Sequence, residues 1–325
     1  MNPVTSRVFH TSVTPDEGEA AHLSAITNGY TVEVRPPYQE TLPPTLPNFV
    51  QGILELQRKW FGLRNSSPIT AFEIRRTNPH HLQFQFTAPT KRMERKIRTH
   101  LSNQIPGVEF VDGSDGIPIE PDESIGGGFL TLGRSDFLPI QYSHDAPPNN
   151  AVATSLHRHA MQNTKIIIQI LFQPVIGEPL RTWWWRKTAY QHRNYLNKEK
   201  EKLWGSIKPT SREKKQAREI DDKAGSSRYK TSLRILIIGA EEYTPSRLKE
   251  IAGGYNIYEH PGTGQYFDIV TVKKLQRQRI LSFANAVAHR TFSGWTQGFH
   301  LSSKELAALL SLPDRTQANI IPAKP

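Results

Sequence analysis

The stretch SPITAFEIRRTNPHHLQFQFTAP, residues 67–89, decides the fold. In HLQFQFTAP (81–89) Leu82, Phe84 and Phe86 alternate with Gln83, Gln85 and Thr87, the two-residue period of a half-buried strand. SPITAFEIRR (67–76) supplies its partner, with a turn at Asn78-Pro79. Upstream, YTVEVRPP (30–37) turns Val32 and Val34 inward and stops at a double proline, which suits a strand end. Between these strands, Thr45 to Phe61 spaces Phe49, Ile53, Leu56 and Trp60 as a helix, with Pro47 tolerated in its first turn. After Thr90 a basic helix carries Met93, Ile97 and Leu101 on one stripe, and GVEFVDG (107–113) closes the series as a strand. The order β-α-β-β-α-β predicts a ferredoxin-like unit over 29–113, preceded by a polar, flexible segment over 1–28.

DGSDGIPIEPDESIGGG (112–128) is rich in glycine, proline and acids, which predicts a linker over 114–128. Beyond it the pattern recurs. FLTLG and FLPIQYS (129–143) read as a hairpin, Asn149 to Met161 as a helix and Lys165 to Gln173 as a buried strand. SLRILIIGA (232–240) is a strand, Pro245 to Ala252 a helix, and 255–259 and 265–272 are strand material. Setting 179–224 aside restores β-α-β-β-α-β. The expected class is therefore α+β, with two tandem ferredoxin-like (βαββαβ) units, the second over 129–300. That second unit bears a helical-hairpin insertion joined near Gly205–Pro209. A C-terminal helix and tail follow over 301–325. There Ser302 and Glu305 form a capping box, and Leu306, Leu309 and Leu310 an apolar face ended by Pro313.

The chain carries a net charge of +11, and residues 181–234 alone hold 16 Lys/Arg against 6 Asp/Glu. A localised basic field attracts phosphates of nucleic acid or anionic lipid better than the same charge spread evenly. Within RTWWWRKTAYQHRNYLNKEKEKLW (181–204), Trp183, Trp184, Trp185, Tyr190, Tyr195 and Trp204 interleave with Arg181, Arg186, Lys187, Arg193, Lys198, Lys200 and Lys202. Arg212, Lys214, Lys215 and Arg218 follow on a segment solvated on all sides. Three readings stand level. The rings stack on single-stranded nucleic acid, they lie at the headgroup level of an anionic membrane, or they dock the insertion onto its own sheet. Three consecutive tryptophans span about 200° of helix, so at least one faces away from any single docking surface.

Other chemistries find little support. With no cysteines, disulfides, thiolate metal sites and thiol catalysis are excluded. The longest apolar run, Ile166 to Phe172, is broken by Gln169 and is of strand length. The N-terminus lacks a secretory pattern, so a cytoplasmic location is expected, with peripheral contact to the inner membrane face left open. There is no GxxxxGK[ST] phosphate loop and no Gly-Lys pair, and Gly126-Gly127-Gly128 and Gly262-Thr263-Gly264 read as turns. His157 and His159, two apart on a helix, diverge by about 200° and cannot share a metal. His80 and His81 sit in a turn. No catalytic residue, cofactor or metal is expected.

Several blocks resemble one family: the region ahead of the motor in conjugative DNA-transfer ATPases of the type IV secretion class, relatives of the HerA-type translocases. These are YTVEVRPP (30–37), TKIIIQILFQP (164–174) followed by Gly177-Glu178, YKTSLRILIIGA (229–240) and HLSSKELAALLSLPD (300–314). The resemblance covers about residues 30–315 and is one of block order. It implies a component of a DNA-transfer machine that docks with a motor ATPase, and it makes a homo-oligomer plausible. Because the phosphate loop is missing, ATPase activity does not carry over. The motor is expected on a separate polypeptide or beyond a fragment. The competing expectation is a stand-alone nucleic-acid-binding protein, although the aromatic motif of RNA-recognition sheets is absent.

Overall fold

The computed structural model describes residues 9–323 apart from 39–40, 62, 80, 158–160, 162, 178, 199, 203–204, 274–276, 293–297, 315–316 and 318. In chain order, β1 (Ser12–Val13), α1 (Glu17–Ala25), β2 (Tyr30–Arg35) and α2 (Pro47–Gly52) lead to a small hairpin, β3 (Arg58–Lys59) and β4 (Arg64–Asn65). Then come β5 (Thr70–Asn78), β6 (His81–Ala88), α3 (Lys91–Gln104) and β7 (Glu109–Asp112). The second half holds β8 (Ile125–Leu132), α4 (Asn149–Leu156) and β9 (Lys165–Pro174), followed by α5 (Pro179–Asn197), β10 (Lys200–Lys202), β11 (Gly205–Ile207) and α6 (Ser211–Gly225). Last are β12 (Arg228–Ile238), α7 (Thr244–Ala252), β13 (Phe267–Thr271), α8 (Arg277–Ala288), β14 (Phe299–Ser302) and α9 (Ser303–Leu309).

The chain is α+β, built on one large antiparallel sheet. Its path runs β1-β8-β12-β9-β5-β6-β2-β7, with β13 beside β8 and β14 beside β12. In the first half the spatial order is β5-β6-β2-β7, and in the second it is β9-β12-β8-β13. These are the same positions of a strand-helix-strand-strand-helix-strand series. The second strand of each half meets the other at the middle, from Thr70 opposite Phe172 to Arg76 opposite Ile166.

The two faces of the joint differ. On one face Phe72, Ile74, Ile168 and Ile170 are buried in a core that runs under α2, α3, α4, α7 and α9. On the other, Glu73 accepts from Arg75 Nε at 2.9 Å, Arg290 Nε at 2.9 Å, Gln85 Nε2 at 2.7 Å and Gln169 Nε2 at 2.7 Å. Arg234 donates to Gln169 and to the Thr291 carbonyl, extending the network across β12. Behind the second half, α1 and α8 cover a second apolar cluster that includes Ile125, Leu236, Ile238 and Phe283. Among the described residues no helix is long and apolar enough to cross a membrane.

Several expectations need correction. Residues 17–25 form a helix capped by Asp16, with Leu23 buried, where 1–28 reads as unpatterned. The helix expected over 45–61 ends at Gly52, where a Cβ would come within 2.2 Å of the His100 ring. Phe49 and Ile53 are buried as that stripe requires, whereas Leu56 and Trp60 are exposed. Gly126-Gly127-Gly128 lies in strand β8, not in a turn. A Cβ on Gly127 would stand 2.1 Å from the Ile235 carbonyl oxygen, so glycine there permits close strand approach.

The hairpin expected over 129–143 has only its first strand. Past Leu132 the backbone polar groups are met by distant side chains in place of a ladder: Gln265 takes Arg134 N and donates to the Ser135 and Leu138 carbonyls, and Glu305 takes Ile140 N. Residues 253–258 form a 3-10 helix that buries Tyr255 and Tyr258, not a strand. Helix α8 was not anticipated. The helices of the insertion are joined through the β10–β11 pair.

The Glu73 carboxyl lies well below the ordinary range: burial alone raises its pKa, and the charges of Arg75 and Arg290 more than reverse that. Glu73→Gln leaves the buried Arg75 guanidinium without its carboxylate and Arg290 with Asp115 alone, and is expected to cost about 3–5 kcal/mol by chemical denaturation. The native carboxylate contributes fully above the unfolded-state pKa of about 4.3, and that contribution drains away as pH falls below it. Wild-type stability therefore declines on acidification more steeply than that of Glu73→Gln. Equal acid slopes for the two proteins would remove Glu73 from this role.

Candidate functional site

The insertion leaves the sheet at the end of β9 and returns at the start of β12, where Val175 N donates to the Arg228 carbonyl at 2.8 Å. Gly177, at φ 73°, makes the exit turn in a conformation that suits a residue without Cβ. Helices α5 and α6 then pack on each other through Ala189, Leu196, Ala217, Ile220 and Ala224, with Phe137 and Leu138 beneath. The far end of α6 is pinned by Lys223, whose Nζ lies 2.9 Å from Glu305 Oε1, both groups fully buried. Glu305 also completes the capping box of α9, accepting from the N-cap Ser302 N at 2.7 Å.

The three tryptophans divide. Trp185 turns inward: its Nε1 donates to Asp136 at 2.6 Å, its ring meets His300 edge to face, and the Arg228 guanidinium lies 3.9 Å from the ring centroid. Asp136 is anchored in turn by His300 Nδ1 at 2.9 Å. Burial would raise the Asp136 carboxyl, but the hydrogen bond and charge of His300, with Lys223 behind, hold it below its ordinary value. Trp183 and Trp184 turn outward, 54% and 60% exposed, and Lys187 Nζ sits over both rings at 4.8 and 5.2 Å.

Beside Trp183 lies an open cleft of about 580 Å³ at the root of the insertion. Arg58 of β3, Arg186 of α5 and Arg228 of β12 line it, with Thr182 and Ser226. No acidic side chain is among the described residues that line it. Desolvation and the nearby charge of Arg186 lower the Arg228 pKa to about 10, so this buried guanidinium is under-compensated inside the protein. Cations that outweigh the one carboxylate felt by Arg228, that of Asp136, beside an exposed indole, suit a phosphate with an attached ring.

The other residues named from the sequence do not all join this cleft. Arg181, Lys198, Arg212, Lys214, Lys215 and Arg218 are exposed along the insertion. Arg193 is engaged internally, pairing with Asp221 at 2.6 Å and lying over Tyr190, so it ties α5 to α6. Lys200 and Lys202 belong to β10. Trp204, Arg158, His159 and His80 lie outside the described residues, which leaves the His157–His159 pair undefined. Among the described residues no cluster of three or more His, Asp or Glu could hold a metal ion.

Arg58 and Arg228 are absent from the sequence-based set. Arg58 falls within the span read as a helix, and Arg228 just before a strand. Nothing local in either stretch signals that residues 58, 186 and 228 meet.

The model of one family, described as a domain of unknown function, DUF8128, matches residues 5–325, so a single definition spans both halves and the insertion. No curated protein matches the chain.

The division of the tryptophans is testable by thermal or chemical unfolding. Trp185→Ala is expected to cost roughly 2–3 kcal/mol, somewhat below a full core deletion because the ring is half-buried. Trp183→Ala and Trp184→Ala should each stay within about 0.5 kcal/mol of wild type. Similar losses at all three positions would mean that the outward rings also dock the insertion.

Proposed function

The chain belongs to the DUF8128 family, and on that premise we propose that it is a non-catalytic component of a conjugation-like DNA-transfer machine, working with a motor ATPase supplied by another polypeptide. In this reading the cleft holds a nucleic-acid strand by its phosphates. One observation carries it: Arg58, Arg186 and Arg228 converge with Trp183 on a cleft with no acidic side chain among its described lining residues.

Two further observations support the architecture that the resemblance implies. The strand order in each half, second-third-first-fourth, is that of a ferredoxin-like unit, so we read the sheet as two such units joined edge to edge. The basic insertion occupies the interval between the second and third strands of the second unit. The stand-alone nucleic-acid-binding reading draws on the same cleft and differs only in needing no motor.

Fluorescence anisotropy with a single-stranded oligonucleotide tests the shared element. Three phosphate contacts predict a log–log salt slope of about −2, at about 0.7 per phosphate. Charge reversal at Arg58 and Arg186 should weaken binding at least about tenfold and flatten that slope, while Trp183→Ala loses the stacking part, on the order of 1–3 kcal/mol. Salt-independent or absent binding rejects the cleft. ATP hydrolysis by the pure chain rejects a non-catalytic role. Co-purification with a phosphate-loop ATPase encoded beside it separates the machine component from the stand-alone protein.

A further inference from the structure

The β3–β4 hairpin departs from what stability would choose. Trp60 and Phe61 have φ of 55° and 52°, consecutive non-glycine residues in the left-handed region, at a turn closed by Leu63 N donating to the Trp60 carbonyl at 3.0 Å. Asparagine or glycine serves such positions without the steric penalty that bulky side chains incur. Both aromatic side chains are nonetheless directed into solvent, Trp60 at 74% and Phe61 at 107% exposure, flanked by exposed Leu56 and Leu63. Backbone strain that presents a large apolar side chain to water points to a function outside the fold.

The charge around the tip has one sign. Arg58, Lys59 and Arg64 are exposed, and among the described residues none has a carboxylate within ion-pair distance. Glu55, at the hairpin base, is neutralised by Arg92 at 2.7 Å and Lys96 at 3.2 Å. We infer that this hairpin docks the protein on an anionic lipid surface, with Trp60, Phe61 and Leu63 entering the headgroup–acyl boundary and the cations meeting lipid phosphates. A bare nucleic-acid strand accounts for it less well, since exposed Leu56 and Leu63 gain nothing from stacked bases. A membrane uses aliphatic and aromatic groups together with basic ones. The cleft reading is separate, since it rests on a concave site and on other residues save Arg58.

The test uses vesicles of phosphatidylcholine with about a quarter phosphatidylserine, against pure phosphatidylcholine, in a flotation assay. Wild type should float with the anionic vesicles, and bromine-labelled acyl chains should quench a fluorescence component that is missing in Trp60→Phe. Trp60→Asn combined with Phe61→Gly relieves the left-handed backbone. Its unfolding midpoint should therefore hold or rise while vesicle binding falls about tenfold. Lys59→Glu with Arg64→Glu should lose the preference for anionic vesicles, and oligonucleotide binding should survive both double variants. The inference is overturned if wild type does not float, if the Asn/Gly variant floats unchanged, or if the same substitutions dissolve a lipid-free oligomer. The last outcome would assign the tip to a second copy of the chain.

Discussion

The antiparallel pairing of β5 with β9 makes one sheet of two halves, and the carboxylate of Glu73 sits at the middle of that seam. A buried ion pair seldom adds stability over an apolar replacement, because desolvation of the charges offsets most of their attraction. Its consequence here is register. A one-residue slip of β5 would drive Glu73 and Arg75 into the face that holds Phe72 and Ile74, and bring those apolar side chains among Gln85, Gln169 and Arg290. Either displacement strands several polar groups, so the one-residue slip is strongly disfavoured. Arg290, just past α8, ties the covering helix to the same carboxylate.

The cleft inherits its geometry from that seam. With β9 fixed against β5, its other neighbour β12 is fixed too, and the insertion must leave and return across one strand spacing. Two anchors far apart in sequence then orient it: Trp185 on Asp136 and His300, and Lys223 on Glu305. Both reach the β14–α9 segment, which packs on the first half as well, Leu46 N donating to the Ala307 carbonyl at 3.1 Å. The basic surface is therefore held by groups that span both halves.

What was legible in the sequence follows from where its physics is local. Alternation in β2 and β6, the pairing of β5 with β6 and the apolar run of β9 set those strands to within a few residues, and the side chains of Thr90 and Ser302 marked the starts of α3 and α9 because a cap is a contact across three residues. The failures share a cause. Leu56 and Trp60 keep helical spacing with Phe49 and Ile53, but periodicity cannot say whether a stripe has anything to pack against. Residues 137–143 look like a strand, yet their hydrogen-bonding needs are met by Gln265 and Glu305, more than a hundred residues away. Composition pointed to Trp183 and Arg186. Arg58 and Arg228 reach the same cleft only through the assembled sheet.

Two departures from maximal stability adjoin each other at the root of the insertion. Arg228 is buried near the like charge of Arg186, which depresses its pKa and costs folding energy that a neutral residue would not. Trp60 and Phe61 hold a backbone conformation that asparagine or glycine would adopt more readily. Elsewhere many local choices agree with the fold: α1, α3, α6 and α9 are capped by side chains, β9 is apolar on its core face, and Glu73 is fully coordinated. Local rules broken by neighbouring residues point to a binding surface more directly than composition does. Arg58 belongs to both features, lining the cleft with one end of the hairpin whose other end carries the exposed rings. An under-compensated guanidinium and a left-handed aromatic turn thus stand side by side at the root of the insertion, each held by the fold at a cost that its own neighbours do not offset.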